Sequence, residues 1–184
     1  MADAMLSQLI GGLVFRMRIL LCDNLTRHGA AHEAVLTALE RCYSPKHETE
    51  RVLVPYSDEY RLSANQMLSM RLISVADRAD AIICLSAPSY LIPHPRKIIW
   101  LCGEPASLAL NSKSPKWLVR PLQYGWKEAI ASYVADRKSH QYLHSLGMHS
   151  EYLGLPKPSG NLESPDWINT ANTLLSLPKM AKAK

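Results

Sequence analysis

Two short apolar runs in the middle of the chain constrain the fold more than any other feature. The first covers residues 81–85 (AIICL) and the second covers residues 97–102 (KIIWLC). Both runs are continuous rather than alternating, which is typical of strands buried on both faces of a parallel sheet. The loop between them contains Pro88, Pro93 and Pro95 and is too rich in proline to form a helix. We therefore expect two buried strands joined by an irregular loop.

Small and polar residues follow each of these runs. The first run is followed by Ser86, Ala87 and Pro88, and the second by Gly103 and Glu104. In open α/β sheets, ligands bind outside the carboxyl ends of the strands. We therefore expect a functional site there, with Ser86, Ser89 and Glu104 among its residues.

The rest of the chain alternates between strand and helix patterns. Further strands are predicted over residues 18–22, 51–55, 130–133 and 151–156. Helices are predicted over residues 30–42, 67–76, 136–146 and 166–177, with Gly147 closing the third. A helical pattern over 117–133, interrupted by Pro121, overlaps one strand, and polar segments over 44–50 and 56–65 indicate turns, a cap or loops. This order predicts an α/β fold, a Rossmann-like parallel sheet with helices on both faces.

The turn after the first strand has the composition of an anion site. Gly29-Ala30 opens the predicted helix, and Arg27 precedes this pair. The start of such a helix directs backbone N–H groups at whatever lies above the sheet. A single glycine is equally typical of an ordinary turn, so both interpretations stay open.

The central stretch also resembles a known family. It is similar to the amino-terminal half of retaining glycosyltransferases of the GT-B architecture, of the family 4-like group. The resemblance extends more loosely from Met17 to about Pro156. The residues that carry it are Asp77, Ala79, Asp80, Ser86, Pro88, Tyr90, the His94-Pro95-Arg96-Lys97 sequence, Ile99, Trp100 and Leu101.

The resemblance implies a site and a reaction. In that family a Gly-Gly or Gly-Ala pair approaches the donor diphosphate and the acceptor, and the matching pair here is Gly29-Ala30. Ser86, Glu104 and Arg27 would line the same cleft. The implied reaction is hexosyl transfer from a nucleotide sugar to a sugar, glycan or lipid-linked acceptor. The nucleotide sugar is a substrate, and neither a cofactor nor a metal ion is implied.

The same resemblance predicts the domain organisation. Residues 17–156 would form the acceptor-side domain, after a loosely ordered leader over 1–16. A linker (157–165), a helix that packs back (166–177) and a basic tail (178–184) would follow. The nucleotide-sugar domain of the family has no counterpart, and positions 102–104 lack the histidine that many relatives carry there. We therefore expect no sugar transfer by this chain alone, and no catalytic residue is assigned.

Composition sets broader limits. The chain has 184 residues, 47% of them hydrophobic, and a formal charge of +5, as expected for one soluble domain. A basic balance suits phosphate-bearing ligands, acidic lipids or nucleic acid. The basic residues lack the aromatic interleaving of a nucleic-acid module, so we expect no nucleic-acid partner. An interfacial helix in the leader would give at most weak peripheral membrane contact.

The cysteines and histidines indicate no metal centre. The four cysteines, Cys22, Cys42, Cys84 and Cys102, form no CxxC pair and are predicted to be free thiols in a reducing cytoplasm.

His140 and His144 lie four residues apart on a predicted helix, and without a third ligand they are predicted to be exposed polar residues. His94 is interpreted as structural.

Several large apolar residues are assigned to the core rather than to a site. Met67, Met70 and Ile73, with Leu68 beside them, form the packing face of one predicted helix. Trp117 and Trp126 are large enough to stack on a sugar, but are more typical of core residues.

Two functions remain compatible with the sequence. The first is the acceptor-side half of a glycosyltransferase that works with a separate donor-domain chain. The alternative is a noncatalytic interaction or dimerisation domain derived from that scaffold, acting through self-association or another partner. A polar cleft at the carboxyl ends of the strands would favour the enzyme, and an exposed apolar face there would favour the interaction domain.

Overall fold

A computed structural model describes residues 16–25, 29–55, 60–102, 116–156 and 164–176, with side chains omitted for residues 60–64 and 116–119. The strands are β1 (Arg18–Asn24), β2 (Glu48–Val54), β3 (Ala81–Cys84), β4 (Lys97–Leu101), β5 (Ala131–Val134) and β6 (Glu151–Tyr152). The helices are α1 (Ala30–Tyr43), α2 (Tyr60–Leu72), α3 (Lys116–Lys127), α4 (Arg137–Ser145) and α5 (Pro165–Leu175). A 3-10 turn covers Ser89–Leu91.

The strands form one six-stranded sheet in the order β2-β1-β3-β4-β5-β6. Every neighbouring pair is parallel. All residues of β3 and β4 are buried, which is why their sequences are continuous apolar runs rather than alternating ones. The predicted α/β class with a Rossmann-like parallel sheet is confirmed.

Helices cover both faces of the sheet, as predicted. Because side chains alternate along a strand, Leu20 and Ile82 point to one face, whereas Ile19 and Ile83 point to the other. The first face packs against buried residues of α2, α3 and α4, and the second packs against buried residues of α1 and α5. Each central strand therefore contributes to two separate apolar cores.

Helix α5 is held on the sheet by specific contacts. The Tyr43 hydroxyl of α1 donates to the Ala171 carbonyl over 2.8 Å. Trp167 packs edge-on against Trp100 of β4, with ring centroids 6.3 Å apart. These contacts attach α5, the last described helix, to α1 and β4, which come much earlier in the chain.

Several predicted boundaries were wrong. Residues 60–65, interpreted as a cap or loop, form the first part of α2, which ends at Leu72 rather than residue 76. The polar sequence conceals this helix, which is anchored by buried Met67 and Met70, whereas Leu68 is exposed. The helix predicted over 117–133 ends at Lys127.

Several strand boundaries differ from the predicted ones because the strands pair with other parts of the chain. Strand β5 begins at Ala131 because it pairs with β4, an interaction between residues distant in sequence. Strand β2 begins at Glu48, inside the segment predicted to be a turn, because it pairs with the whole of β1. The last strand is limited to Glu151–Tyr152.

Most of the residues that were predicted to belong to the core are buried or half-buried. Cys22, Cys84 and Cys102 are buried free thiols, and Cys42 is half-buried and also free. Trp126 is buried and donates its indole N–H to the His149 carbonyl over 3.0 Å. Within the described residues, no helix is long and apolar enough to cross a membrane.

Helix α4 ends in the motif that its glycine predicts. Gly147 has a φ of +68°, and the backbone N–H of Met148 donates to the Leu143 carbonyl over 3.0 Å. The Gly147 N–H donates to the His144 carbonyl over the same distance. Together these bonds satisfy carbonyls at the helix end that would otherwise lack partners.

We predict that Gly147→Ala lowers the free energy of unfolding by about 1–2 kcal/mol, because a Cβ disfavours the left-handed conformation. Gly29→Ser is the matched control, since Gly29 has a φ of −110° and open space around its Cα. Serine is at least as good as glycine at that N-cap, so this control should be neutral or slightly stabilising. Urea unfolding measures both, and equal stabilities for the two variants would contradict the prediction.

A buried lysine lies at the start of β4. Lys97 is 0% exposed, and its Nζ donates to the Tyr90 carbonyl over 2.8 Å and to Glu128 Oε2 over 3.0 Å. Arg71 binds the same carboxylate through both terminal nitrogens. Hydrogen bonds from Arg71 hold the pKa of Glu128 below its usual value, with Lys97 contributing in the same direction.

We predict that Glu128→Gln lowers the free energy of unfolding by about 3 kcal/mol, because it removes the charge that compensates a buried ammonium group. Adding Lys97→Met should restore part of the loss, since the double variant contains no buried charge at that position. Chemical unfolding of the single and double variants measures the coupling. A loss below about 0.5 kcal/mol for Glu128→Gln would show that the pair contributes no more than an ordinary surface residue.

Candidate functional site

The strand order places a switch point between β1 and β3. The chain leaves β1 toward β2 at one side and leaves β3 toward β4 at the other. At such a point the connections diverge and open a crevice at the carboxyl ends of the two strands. Asp23 and Asn24 end β1, and Ser86 follows β3 at the same edge. All three residues are buried.

The Asp23 carboxylate is the centre of this polar cluster. Its Oδ1 accepts a hydrogen bond from the Ser86 hydroxyl over 2.5 Å. Its Oδ2 lies 2.8 Å from Nδ1 of His32, which belongs to the first turn of α1. The Ser86 oxygen accepts in turn from the Asn24 backbone N–H over 3.1 Å. One carboxylate thus links β1, the loop after β3 and the start of α1.

The surroundings of Asp23 favour its ionised form. Burial raises the pKa of this carboxyl, but hydrogen bonds from His32 and Ser86, with the charge of His32, outweigh burial and hold the pKa below its usual value. An ionised carboxylate accepts hydrogen bonds and donates none. His32 therefore donates through Nδ1, and in the neutral ring the lone pair is on Nε2.

This arrangement suits binding and acid–base chemistry rather than nucleophilic attack by serine. In a serine-nucleophile triad the imidazole contacts the hydroxyl and the carboxylate orients the imidazole. Here the Ser86 hydroxyl donates to the carboxylate itself. The geometry instead provides a histidine with a fixed tautomer, held by a buried anion at the edge of the sheet.

The loop after β3 is held to β1 by further polar contacts. Ser89 donates its hydroxyl to the Ser86 carbonyl over 2.7 Å and also lies 3.3 Å from the Cys22 carbonyl oxygen. The Asn24 side-chain amide donates to the Ala87 carbonyl over 3.0 Å. The Ala87–Pro88 peptide bond is cis. Ser89 is thus fully buried within the loop, and its hydroxyl contacts backbone carbonyl oxygens.

The residues predicted for the site fall into three groups. Ser86 belongs to the polar cluster around Asp23, and Ser89 stabilises the loop after β3. Gly29 is the N-cap of α1 with extended backbone, and Ala30 is the first residue of the helix and is exposed. Arg27 and Glu104 lie outside the described residues.

Sequence reasoning did not select Asp23, Asn24 and His32. The rule that selected Ser86 applies equally to Asp23 and Asn24, because all three follow buried strand residues at a carboxyl end. His32 carried no comparable signal, since its position relative to Asp23 depends on how α1 packs on the sheet.

Two further described histidines, His94 and His140, have structural contacts. His94 Nε2 lies 3.2 Å from the Ala79 carbonyl oxygen, and its Nδ1 accepts from the Arg96 N–H. His140, expected to be exposed, is half-buried, with Nε2 3.1 Å from the Ser150 carbonyl oxygen. No group of three or more His, Cys, Asp or Glu side chains that would hold a metal ion occurs in the described part of the chain.

Comparison with known proteins does not assign the chain to a family. No family model matches it, and no curated protein matches it either. The site therefore has to be interpreted from its own geometry and from the resemblance in the central stretch.

We predict that Ser86→Ala lowers the free energy of unfolding by about 1–3 kcal/mol, because it leaves a buried carboxylate oxygen and the Asn24 N–H without this hydroxyl. Thermal and urea unfolding at neutral pH measure the loss. Ser145→Ala is a suitable control, since Ser145 is exposed and its hydroxyl donates only to the Tyr142 carbonyl within its own helix. An equal loss in both variants would contradict a special contribution from the buried cluster.

The low pKa of Asp23 also predicts an acid dependence. Because the folded-state pKa lies below the unfolded value of about 3.9, the carboxylate stabilises the fold above that pH and loses this effect as pH falls through the folded-state pKa. Asp23→Asn should therefore flatten the fall in stability below about pH 4. Exposed Asp77→Asn is the control, and an unchanged acid profile in Asp23→Asn would refute the assignment.

Proposed function

We propose that this chain is the acceptor-binding half of a nucleotide-sugar-dependent hexosyltransferase. The observation that carries the proposal is the Asp23–His32 pair at the carboxyl edge of β1, beside Ser86. The resemblance of the central stretch to GT-B glycosyltransferases supports an acceptor at this edge of the sheet. The buried cluster of polar side chains at the described part of this edge supports an enzyme half.

The pair suits the chemistry of glycosyl transfer. The acceptor oxygen bonds to the anomeric carbon, the bond from that carbon to the donor phosphate breaks, and the hydroxyl proton has to be taken up. Imidazole is the side chain best suited to accept a proton near neutral pH. In this proposal Nε2 of His32 accepts the hydroxyl hydrogen bond of a sugar, glycan or lipid-linked acceptor, and Asp23 fixes the ring for that role.

The donor occupies the other side of the cleft in this proposal. A second sheet domain, on the same or a separate polypeptide, holds the nucleotide, as in the family that the central stretch resembles. The start of α1, opened by Gly29, directs its first N–H groups toward the donor diphosphate. The formal charge of +5 favours a ligand that carries phosphates.

The decisive variant is His32→Asn. Asparagine places an N–H donor where Nδ1 of His32 contacts Asp23, but it has no counterpart of Nε2. We expect turnover of nucleotide sugars by the chain when any donor-domain protein encoded beside it is added, and a loss of about 10²–10⁴-fold in kcat in this variant. Thermal unfolding of the variant should remain near that of the parent, which separates a lost contact from a lost fold.

The matched control is His144→Asn, a change at an exposed histidine on α4 that should leave kcat unaltered. Full turnover by His32→Asn would contradict the role of His32. Turnover by the chain without a donor domain would contradict the division of the cleft into two halves.

A second candidate is a noncatalytic interaction domain that self-associates. Leu68 and Leu72 favour it, because they lie one turn apart on α2 and are 61% and 75% exposed. Sedimentation velocity on the same samples separates the candidates. Tight self-association without turnover, with or without a donor domain, would support the interaction domain.

A further inference from the structure

A basic cavity lies at the opposite, amino-terminal edge of the sheet. The end of α1, the loop to β2 and the outer side of α5 enclose about 360 Å³. This volume lies within the range of small-molecule sites in proteins. Among the lining residues are Arg41, Tyr43, Lys46, His47, Ile168 and Asn172.

The charges around this cavity have one sign. Among the described residues, its lining contains Arg41, Lys46 and His47 but no carboxylate. Arg51, Arg71 and Arg78 each pair with a glutamate elsewhere in the fold. Within the described residues, by contrast, Arg41 and Lys46 form no ion pair.

The pKa of His47 reflects the same positive charges. Burial lowers the pKa of His47, and the charges of Lys46 and Arg96 lower it further. An anion in the cavity would act on this ring in the opposite direction. His47 therefore lines the cavity, and its pKa would report whether an anion is bound there.

Two carbonyls at the end of α1 have backbone donors and do not need these basic side chains. Basic residues often follow a helix because they satisfy its last carbonyls. Here the backbone N–H of Ser44 already donates to the Glu40 carbonyl over 2.8 Å. The N–H groups of Lys46 and His47 donate to the Tyr43 carbonyl over 2.9 and 2.8 Å. The Arg41 and Lys46 side chains are thus not needed for these carbonyls.

The cavity walls are held in place by the packing of α5. The hydrogen bond from the Tyr43 hydroxyl to the Ala171 carbonyl joins α1 to α5, and Arg96 donates to the Leu175 carbonyl over 3.1 Å. Ile168 and the Tyr43 ring give an apolar wall beside the cations, and Asn172 adds an amide. The site therefore combines positive charge with apolar surface.

We propose that this cavity binds the phosphate group of a phosphoester, held between Arg41 and Lys46 and contacted by His47. An arginine and a lysine supply charge-assisted hydrogen bonds to phosphate oxygens, and the apolar wall accommodates the organic part of the ester. The phosphate belongs either to a soluble metabolite or to the headgroup of an acidic lipid. This site is separate from the switch point and does not depend on the function proposed above.

Titration of the full chain with inorganic phosphate and glycerol phosphate, followed by NMR, tests the proposal. We expect saturable shifts in residues 41–47 and in α5, including the His47 ring, at constant ionic strength. The double variant Arg41→Gln/Lys46→Gln should lose about tenfold or more in affinity, equivalent to about 1.4 kcal/mol or more, because it removes both charged hydrogen-bond donors. Arg120→Gln/Lys138→Gln, at exposed positions on α3 and α4, is the matched control.

Flotation with phosphatidylcholine vesicles, with and without phosphatidylglycerol, separates the two sources of phosphate. Binding to soluble phosphate that requires Arg41 and Lys46 supports a metabolite site. Binding only to the acidic vesicles, again lost in the double variant, supports a lipid headgroup. Equal responses of the double variant and the control, or identical shifts with chloride, would overturn the proposal.

Discussion

The buried carboxylate of Asp23 is the interaction on which the carboxyl edge of the sheet depends. A carboxylate with 0% exposure is costly unless hydrogen bonds replace its water. Ser86 and His32 supply such bonds, one from the loop after β3 and one from α1. Three separate elements are thereby held around a single charge. The same bonds that stabilise the anion orient the imidazole, so the stability of this edge and its proposed chemistry have one origin.

Charged side chains are paired differently at the two edges of the sheet. At the described part of the carboxyl edge, the Asp23 carboxylate accepts hydrogen bonds from the Ser86 hydroxyl and the His32 imidazole. At the amino edge the buried Lys97 is compensated by Glu128, which Arg71 also binds. Farther along that edge, Arg41 and Lys46 line a cavity in which the described part of the chain places no carboxylate. Uncompensated charge on a concave surface is typical of ligand sites, whereas the Lys97 network is internally paired and is structural.

Much of the fold could be predicted because buried parallel strands have a distinctive local sequence. The apolar runs of β3 and β4 have no alternation, since both of their faces are covered. Gly147 marks the end of α4 by its conformational freedom. The predicted start of α2 was wrong because its first turns are mostly polar. Among the residues of this helix whose side chains are described, only Met67 and Met70 are buried. Strand β2 extends into a polar segment because hydrogen bonding to β1 overrides local preference.

By itself the sequence determined the fold class, most of the elements and the edge of the sheet where Ser86 lies, because these follow from local patterns of apolar residues, proline and glycine. Only the tertiary structure decided that His32 meets Asp23 and that Lys97 meets Glu128. It also decided that α5 closes a basic cavity against the end of α1. The physical reason is that hydrogen bonds and ion pairs act over a few ångströms between side chains far apart in sequence. Their formation depends on the packing of whole helices, which no local pattern encodes.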